Sequence, residues 1–256
     1  MDFEKPLEDQ IVLVTRPRLA SETPLVDKLH AAGAGVILHP VIEIEPPRDW
    51  SQVDHALGRL SDFGTIVFLS GTGVEYFFAR TRMLSMMDGL DQHAVAAIGE
   101  STAQKIREYG ESVDLIPTSS NSESMAELLV ESATGPILLL RASRGSDVIA
   151  KHLEASGKEF DEVVIYESRD VEKPDAKTVE LLNDGKIDWV TITSSAIASS
   201  TASLFGDSLL QTKLASISPT TTLALRQNGF TPATEASEYN FDGLVAAMSA
   251  YTRSPR

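Results

Sequence analysis

Cysteine is absent from this 256-residue sequence, and so are the usual marks of export and membrane insertion. Without cysteine there are no disulfide bonds, thiolate metal sites or cysteine nucleophiles. No run of about eighteen apolar residues occurs, which argues against a membrane span. The amino-terminal stretch MDFEKPLEDQ is acidic and lacks the basic start and apolar core of a signal peptide. We therefore expect a cytoplasmic protein.

Positive charge is scarce. Lys and Arg total 22 against 37 Asp and Glu, a formal net charge of −15. Such a surface repels nucleic-acid phosphates and anionic membranes over about a Debye length. No Lys/Arg-rich run offers a locally basic groove. We expect neither nucleic acid nor membrane as a partner.

The common catalytic motifs are missing as well. The sequence has no HExxH spacing, no Walker motif, no GxGxxG after its first strand and no GxSxG elbow. A metal site, a bound nucleotide and a Ser–His–Asp triad are therefore not expected, and we predict no cofactor and no metal. The histidines are scattered and are interpreted as surface or structural residues; they are His30, His39, His55, His93 and His152.

What the sequence does contain is an alternation of short apolar runs with helical patterns, which is typical of an α/β fold. Most of the runs are continuous, as in parallel strands covered on both faces. Gly33, Gly110, Gly157 and Gly229 are expected to end helices, and Ser120 with Glu123 to form a capping box. Helices are expected over Ser101–Tyr109 and Ser143–Ala155. The predicted strands are Ile11–Thr15, Thr65–Leu69, Ala94–Ile98, Ile137–Leu140, Val163–Tyr166, Trp189–Thr193 and Leu214–Ile217.

The order of these pieces occurs twice, at an offset of about 120 residues, which is too long for a solenoid repeat. The stretches 39–47 and 166–174 occupy the same place in each half, and proline follows each extended run. Two similar flavodoxin- or Rossmann-like parallel-sheet domains are therefore predicted, with two chain crossings and a cleft. Ligands of open α/β sheets bind outside the carboxyl ends of the strands.

Hydroxyls, small residues and arginines follow the predicted strands. Unpaired N–H groups at helix N-termini bind anions, and hydroxyls add further hydrogen-bond donors. The arginine guanidinium can donate two parallel hydrogen bonds to one carboxylate. This chemistry predicts an anionic ligand. The candidate binding residues are Thr15, Arg16, Ser70, Gly71, Thr72, Gly99, Ser101, Thr102, Arg141, Ser143, Thr193, Ser194, Ser195, Ser218, Thr220 and Thr221. Arg144 and Lys213 are further cations that are predicted to serve the same anion.

Other interpretations fit the same residues. Ser and Thr before helices are most often plain N-caps, Pro219 suits a first helical position, and the arginines could form ordinary surface ion pairs. A two-lobed solute-binding protein and a two-lobed glycosyl or nucleotidyl transferase share the architecture. The first is usually exported, and the second needs a phosphate loop or a metal-binding Asp motif, neither of which the sequence contains.

Several motifs, taken in order, resemble uroporphyrinogen-III synthases. They are VLVTRP (12–17), VFLSGTGVEYF (67–77), AAIGESTAQKI (96–106), VVIYES (163–168), WVTITSSAI (189–197), ISPTTTLALRQNGF (217–230) and FDGLVAAM (241–248). The resemblance runs from about Ile11 to Met248. One departure is Ser218, where the family pattern has glycine.

The resemblance implies two interwoven α/β domains joined by a two-stranded β linker. One domain would comprise residues 1–39 plus 171–256 and the other residues 47–163, with linkers 40–46 and 164–170. It implies a cofactor-free lyase of porphyrin and heme biosynthesis that acts as a monomer. It also implies transient contact with the preceding, bilane-forming enzyme.

The implied substrate is hydroxymethylbilane, which carries eight carboxylates, and the implied product is uroporphyrinogen III with its terminal pyrrole inverted. Tyr166 matches the tyrosine implicated in catalysis in the family, and it is the predicted catalytic residue. A phenol with a pKa near 10 can donate a hydrogen bond to a departing hydroxyl without ionising. A two-lobed binding or regulatory protein that has lost catalysis is the alternative.

Overall fold

The structure, a computed structural model, describes residues 5–17, 24–86 and 90–253. Internal contacts divide the chain into two units. Unit 1 comprises Met1–Glu43 and Arg169–Arg256, and unit 2 comprises Ile44–Ser168. Among the helices of the described residues, none is long and apolar enough to cross a lipid bilayer.

The described chain contains short strands and helices in the following order of elements. The strands are β1 (Ile11–Val14), β2 (Gly35–Leu38), β3 (Ile42–Glu45), β4 (Thr65–Phe68), β5 (Ala94–Ala97), β6 (Ile137–Ala142), β7 (Phe160–Asp170), β8 (Trp189–Ile192), β9 (Lys213–Ser216) and β10 (Thr234–Glu235). The helices are α1 (Pro24–Ala31), α2 (Ser51–Gly58), α3 (Gly71–Met83), α4 (Glu100–Glu108), α5 (Ser122–Ser132), α6 (Val148–Ala155), α7 (Ala176–Asn183), α8 (Ser195–Phe205), α9 (Pro219–Gln227) and α10 (Phe241–Arg253). Short 3-10 turns occupy Leu60–Asp62 and Gly206–Gln211.

Unit 1 is built on a parallel sheet with the strand order β2-β1-β8-β9-β10. Its strands are short and apolar, and the side chains of Val12, Val14 and Trp189 are fully buried. Leu25 and Leu29 of α1, together with Met248 of α10, pack against them. Helices therefore cover this sheet as parallel strands require.

Unit 2 is built on a second sheet with the strand order β3-β7-β6-β4-β5, in which β7, β6, β4 and β5 run parallel. Every residue of β4 is buried. One core cluster contains Phe68 of β4 and Phe77 of α3, whose rings meet edge to face at 5.2 Å. A separate cluster contains Val67 and Met125, because alternate residues of β4 point to opposite faces.

The structure confirms the predicted α/β class with two parallel-dominated sheets. The four glycines expected to end helices all have positive φ, between 65° and 93°. Two local predictions are wrong. Asn121, and not Ser120, caps α5, and its Oδ1 accepts the Ser124 N–H at 2.8 Å. Residues 143–147 form a loop ahead of α6, where the Ser146 hydroxyl accepts the Val148 N–H at 3.2 Å.

Candidate functional site

Each sheet has one topological switch point, at which the order of the strands along the chain reverses. In unit 2, β4 is central, the next strand in the chain, β5, pairs on one side of it, and the following strand, β6, pairs on its other side. In unit 1, β1 lies between β2 and β8 in the same way. The crevice outside the carboxyl ends of two such strands is where open α/β sheets bind ligands. The candidate residues that follow β1, β4, β6 and β8 border these two points.

Ser70 follows β4 and caps α3. Its backbone is extended, and its Oγ accepts the N–H of Gly73 at 3.0 Å. The same Oγ accepts a second hydrogen bond, from the phenol of Tyr166 at 3.0 Å. Tyr166 lies on β7, so this bond ties β7 to the first turn of α3. The two residues that the sequence placed 96 positions apart are direct partners.

The phenol of Tyr166 is held in a largely apolar setting, with the residue only 7% exposed. Burial raises the pKa of Tyr166. Its ring stacks on that of Tyr76, with centroids 5.8 Å apart and planes inclined by 17°. Burial, together with Glu45 and Glu75, also raises the pKa of Tyr76. Both phenols therefore stay protonated near neutral pH.

The backbone around the first turns of α3 and α4 is tightly enclosed. A Cβ on Gly73 would lie 3.3 Å from the Ser70 Oγ and 3.9 Å from the Tyr166 ring. Gly99, which caps α4, would bring a Cβ to 2.2 Å from the Ser120 Oγ. Gly71 and Thr72 lie half-buried in the first turn of α3. In the first turn of α4, Ser101 is exposed and Thr102 is buried.

Arg141, at the end of β6, has its guanidinium engaged within unit 2. It pairs with Glu162 and with Asp147, the latter at 3.3 Å, and its Nε donates to the Ala142 carbonyl at 3.2 Å. These contacts show that Arg141 contributes to packing at this edge. The neighbouring Ser143 hydroxyl accepts the N–H of Ser168 at 3.0 Å. Its role is thus to connect the loop after β6 with β7.

A cavity of about 160 Å³ opens at this edge of unit 2. Leu69, Ile98 and Ala142, which lie at the ends of three neighbouring strands, line its apolar side. Arg141 and Tyr166 line its polar side together with Ser122, Arg144 and Ser146. An apolar pocket with a few convergent polar groups is the usual form of a small-molecule site.

Thr15 and Arg16 follow β1 in unit 1 and have different surroundings. The Thr15 side chain is fully buried, and its hydroxyl donates to the Thr191 carbonyl at 2.8 Å, which satisfies it inside the sheet. The Arg16 guanidinium lies over the ring of Phe241, 4.9 Å from its centroid. Burial lowers the pKa of Arg16, although an arginine keeps its charge at neutral pH.

The ends of β8 and β9 carry the remaining candidates, all of which have hydroxyl side chains. Ser194 caps α8 and accepts the Ile197 N–H at 3.2 Å. Ser218 caps α9, and its Oγ lies 3.0 Å from the hydroxyls of both Thr220 and Thr221. The Ser195 hydroxyl donates to the Thr220 carbonyl at 3.3 Å, which links the two helix N-termini. Thr193, half-buried, precedes them at the end of β8.

Ser218 stands where the family pattern has glycine, and its backbone explains why a side chain is tolerated. Its φ of −162° is extended, a conformation open to any residue. The serine adds a capping hydroxyl that accepts the Thr221 N–H at 3.4 Å.

Lys213 lies elsewhere. It begins β9, and its Nζ lies over the Trp189 ring, 5.1 Å from the ring centroid. It is therefore at the amino edge of the sheet, so its suggested place beside the anion is wrong.

Tyr76 and the lining residues Leu69 and Ile98 were missed by the sequence reasoning. Tyr76 belongs to the motif VFLSGTGVEYF, and it lies one turn and a half beyond Ser70 on α3. That spacing could have marked Tyr76 as a neighbour of the strand end.

In the part of the chain that the structure describes, no three His, Cys, Asp or Glu side chains gather into a group that could hold a metal ion.

Comparison with known proteins identifies the family. The family model described as uroporphyrinogen-III synthase HemD matches residues 23–246, which is most of the chain. The chain belongs to the uroporphyrinogen-III synthase family. A uroporphyrinogen-III synthase of Synechococcus elongatus is 28% identical over 260 residues, covering 98% of each chain. This agreement favours the synthase over a binding or regulatory protein.

Solved structures of uroporphyrinogen-III synthases share the fold. A mutant enzyme from Thermus thermophilus superposes with a TM-score of 0.68 at 16% identity, over 94% of this chain and 98% of that one. The enzyme from Helicobacter pylori gives a TM-score of 0.61 at 19% identity, over 93% of this chain and 96% of that one. At these identities the likeness concerns the fold alone.

Proposed function

We propose that this member of the uroporphyrinogen-III synthase family closes hydroxymethylbilane to uroporphyrinogen III, with the carboxyl edges of its two sheets binding the substrate. The family match over residues 23–246 carries this proposal. The chemistry of the edges supports it, since hydroxyls and helix N-termini are suited to a polycarboxylate. The enzyme is a lyase that loses water as the ring closes.

The reaction makes geometric demands on the protein. The terminal hydroxyl of the bilane leaves, and the resulting azafulvene is attacked by the substituted carbon of the last pyrrole. The spiro intermediate so formed fragments and closes again with that ring inverted. Uncatalysed bilane closes directly to the uninverted isomer I, so the protein must hold the terminal rings in the productive pose. Such orientation is itself a large source of rate acceleration.

Substrate carboxylates and developing charge would be bound by many donors, each of modest strength. In unit 2 these belong to the first turns of α3 and α4, and in unit 1 to those of α8 and α9. The proposed binding residues in unit 2 are Ser70, Gly71, Thr72, Gly99, Ser101, Thr102, Arg141 and Ser143. Those in unit 1 are Thr15, Arg16, Thr193, Ser194, Ser195, Ser218, Thr220 and Thr221.

These residues would contribute unequally. Thr15 is fully buried and its hydroxyl is bonded to Thr191, so its direct contribution to binding would be the smallest. Arg141 is paired with Glu162 and Asp147, so its contribution would be a partly neutralised positive charge beside the cavity. Preplaced donors that need no reorganisation stabilise developing charge best. The hydroxyls of Ser70 and Ser194, held by their own helices, are of this kind.

Tyr166 is the proposed catalytic phenol. Its burial raises its pKa, so that the proton needed for a hydrogen bond to a leaving hydroxyl stays in place. It borders the cavity at the carboxyl edge of unit 2, where the strand ends meet. Its ring stacks on that of Tyr76.

We propose domain boundaries at 1–39 plus 171–256 and 47–163, with linkers at 40–46 and 164–170. We also propose a cytoplasmic monomer that meets the bilane-forming enzyme only transiently.

The test is to incubate the chain with enzymatically generated hydroxymethylbilane and to separate the oxidised products by chromatography. Isomer III in excess over isomer I is the expected result. Isomer I alone, at the rate of the enzyme-free reaction, would overturn the proposed activity and favour a binding or regulatory protein. A solution of the same protein denatured by heat is the matched control.

A further inference from the structure

The cavity at the carboxyl edge of unit 2 has the size of a single small ring. Its volume is about 160 Å³. An apolar cavity of about 150 Å³ is enough to hold one benzene molecule. A pyrrole ring is smaller than benzene, so this cavity has room for one pyrrole and the first atoms of its side arms. It has no room for two rings of the bilane.

The lining of this cavity combines two kinds of chemistry. Leu69, Ile98 and Ile149 contribute apolar side chains, and Ile149 is buried. Arg141 and Arg144 belong to the same lining. Apolar surface favours the face of a ring, and a guanidinium can donate two parallel hydrogen bonds to a carboxylate. The cavity therefore suits a pyrrole that carries carboxylate arms, as every ring of the bilane does.

Tyr166 also lines the cavity, and this contact indicates which ring lies there. The proposed function places the leaving hydroxyl of the bilane beside the Tyr166 phenol. That hydroxyl belongs to one terminal ring, the hydroxymethyl-bearing ring. A terminal ring is linked to the bilane on one side only, so it can enter a cavity end-on, whereas a middle ring is linked on both sides. The hydroxymethyl-bearing ring is therefore the one that fits.

The inversion step places the other terminal ring outside this cavity. The last pyrrole must separate from its neighbour and turn over before the macrocycle closes. A ring enclosed in a space of its own size cannot turn, because close-packed side chains yield little. The ring that keeps its orientation can be enclosed, and the ring that turns needs open space.

We infer that the cavity lined by Leu69, Ile98 and Ile149 holds the hydroxymethyl-bearing ring of the bilane and leaves the inverting ring outside. This inference rests on the proposed function and names the part of the substrate that its site binds. An electrophilic ring held in one place meets the last pyrrole in one pose, and that pose decides which carbon attacks. The cavity thus contributes to the choice of isomer III over isomer I.

The first test fills the cavity in the intact chain. Ala142 is half-buried at the end of β6 and lines the cavity, so Ala142→Leu places an isopropyl group in the space of the ring. We expect the KM for bilane to rise by about tenfold or more, the scale of the apolar contact of one ring. The share of isomer III should fall as unbound bilane closes to isomer I.

Ser61→Leu is the matched control. Ser61 lines a second cavity of unit 2, of about 330 Å³, next to His93 at the amino end of β5. A leucine there also fills space, so it should leave the KM within about twofold of the wild type. A wild-type KM for Ala142→Leu, or an equal rise in both variants, would overturn the inference.

The second test uses the wild-type chain and identifies the ring. The probe is a bilane in which a ¹³C-labelled methyl group replaces the hydroxymethyl group, so that it cannot lose water. Nuclear Overhauser effects are expected between this label and the methyl groups of Leu69, Ile98 and Ile149. Leu57 and Leu60, which line the second cavity, should show none. A label without contact to the first three residues would overturn the inference, even if Ala142→Leu had raised the KM.

The outcome for the proposed function is separate, because the probe does not react. A wild-type chain that yields only isomer I from hydroxymethylbilane overturns the proposed activity. A wild-type chain that yields isomer III, with the label away from the cavity, overturns only the assignment of the ring.

Discussion

The rings of Tyr76 and Tyr166 stack with their centroids 5.8 Å apart and their planes 17° from parallel. Tyr76 lies on α3 and Tyr166 on β7, so the pair fixes the helix that carries Ser70 against the strand that carries the phenol. The hydroxyl pair of Ser70 and Tyr166 therefore has an aromatic support. This support suggests a first variant.

Replacing Tyr76 by Leu should reduce both stability and turnover. Loss of the stacked pair is expected to lower the free energy of unfolding by about 1 kcal/mol, and looser positioning of Tyr166 to lower kcat severalfold. Tyr76→Phe keeps the ring and should match the wild type. Tyr109→Leu is the control, because Tyr109 stacks on Phe78 at 4.4 Å in the same unit. Equal losses of kcat in Tyr76→Leu and Tyr109→Leu would refute a specific role for the stack.

Tyr166→Phe should reduce the rate and leave binding nearly intact. The ring fills the same space and keeps the stack with Tyr76, so only the hydroxyl is lost. We expect kcat to fall by about tenfold, with KM within about twofold of the wild type. Steady-state kinetics with enzymatically generated bilane measures both constants. An unchanged turnover number would dismiss Tyr166 from the reaction.

Gly99→Ala should destabilise unit 2 for a steric reason. The φ of Gly99 is −179°, so the backbone itself is open to alanine. Its new Cβ would lie 2.2 Å from the Ser120 Oγ and 2.8 Å from the Ser120 Cβ. Urea denaturation should show a loss of about 1–3 kcal/mol. Adding Ser120→Gly removes both clashing atoms and should restore stability; a double variant as unstable as the single one would contradict this explanation.

The two stacked tyrosines should make the protein less stable in alkali. Burial raises the pKa of Tyr166 and of Tyr76 above that of a free phenol, near 10. Above that pH the unfolded chain loses these protons first, so it binds fewer protons than the folded chain and stability falls as pH rises. Below it, both states keep the protons and the contribution is constant.

Urea denaturation between pH 9 and about 11 measures this effect, at up to about 1.4 kcal/mol per pH unit for each proton. Tyr166→Phe should have a shallower slope than the wild type, and Tyr76→Phe/Tyr166→Phe a shallower one still. Identical slopes in all three proteins would show that neither phenol is held protonated by the fold.

Salt should increase catalytic efficiency when the ionic strength is low. The formal charge of −15 repels a substrate with eight carboxylates at long range. Raising the salt from about 0.01 M to 0.15 M shortens the Debye length from about 30 Å to about 8 Å, which screens this repulsion. We expect kcat/KM to rise severalfold over this range. A steep fall would instead reveal strong local attraction by arginines such as Arg16.

The amino-acid sequence by itself determined the class of fold and its duplication. Continuous apolar runs such as Ile137–Leu140, with helical patterns between them, predict parallel strands that are covered on both faces. These patterns are local, so they can be read without knowing which distant residues are in contact. The glycines that end helices were likewise predictable, since positive φ is a local requirement. The hydroxyls after the strands were visible for the same reason.

Only the tertiary structure decided which of those hydroxyls form hydrogen bonds with each other, and which already have a hydrogen-bond partner inside the sheet. Ser70 and Tyr166 are 96 residues apart, and their contact depends on β7 pairing with β6 beside β4. Thr15 was predicted as a binding residue together with Ser70, yet its hydroxyl is bonded inside the sheet. Arg141 likewise looked available, although Glu162 and Asp147 neutralise much of its charge. Hydrogen bonds depend on distances of a few tenths of an ångström, which chain-wide packing sets and local sequence does not.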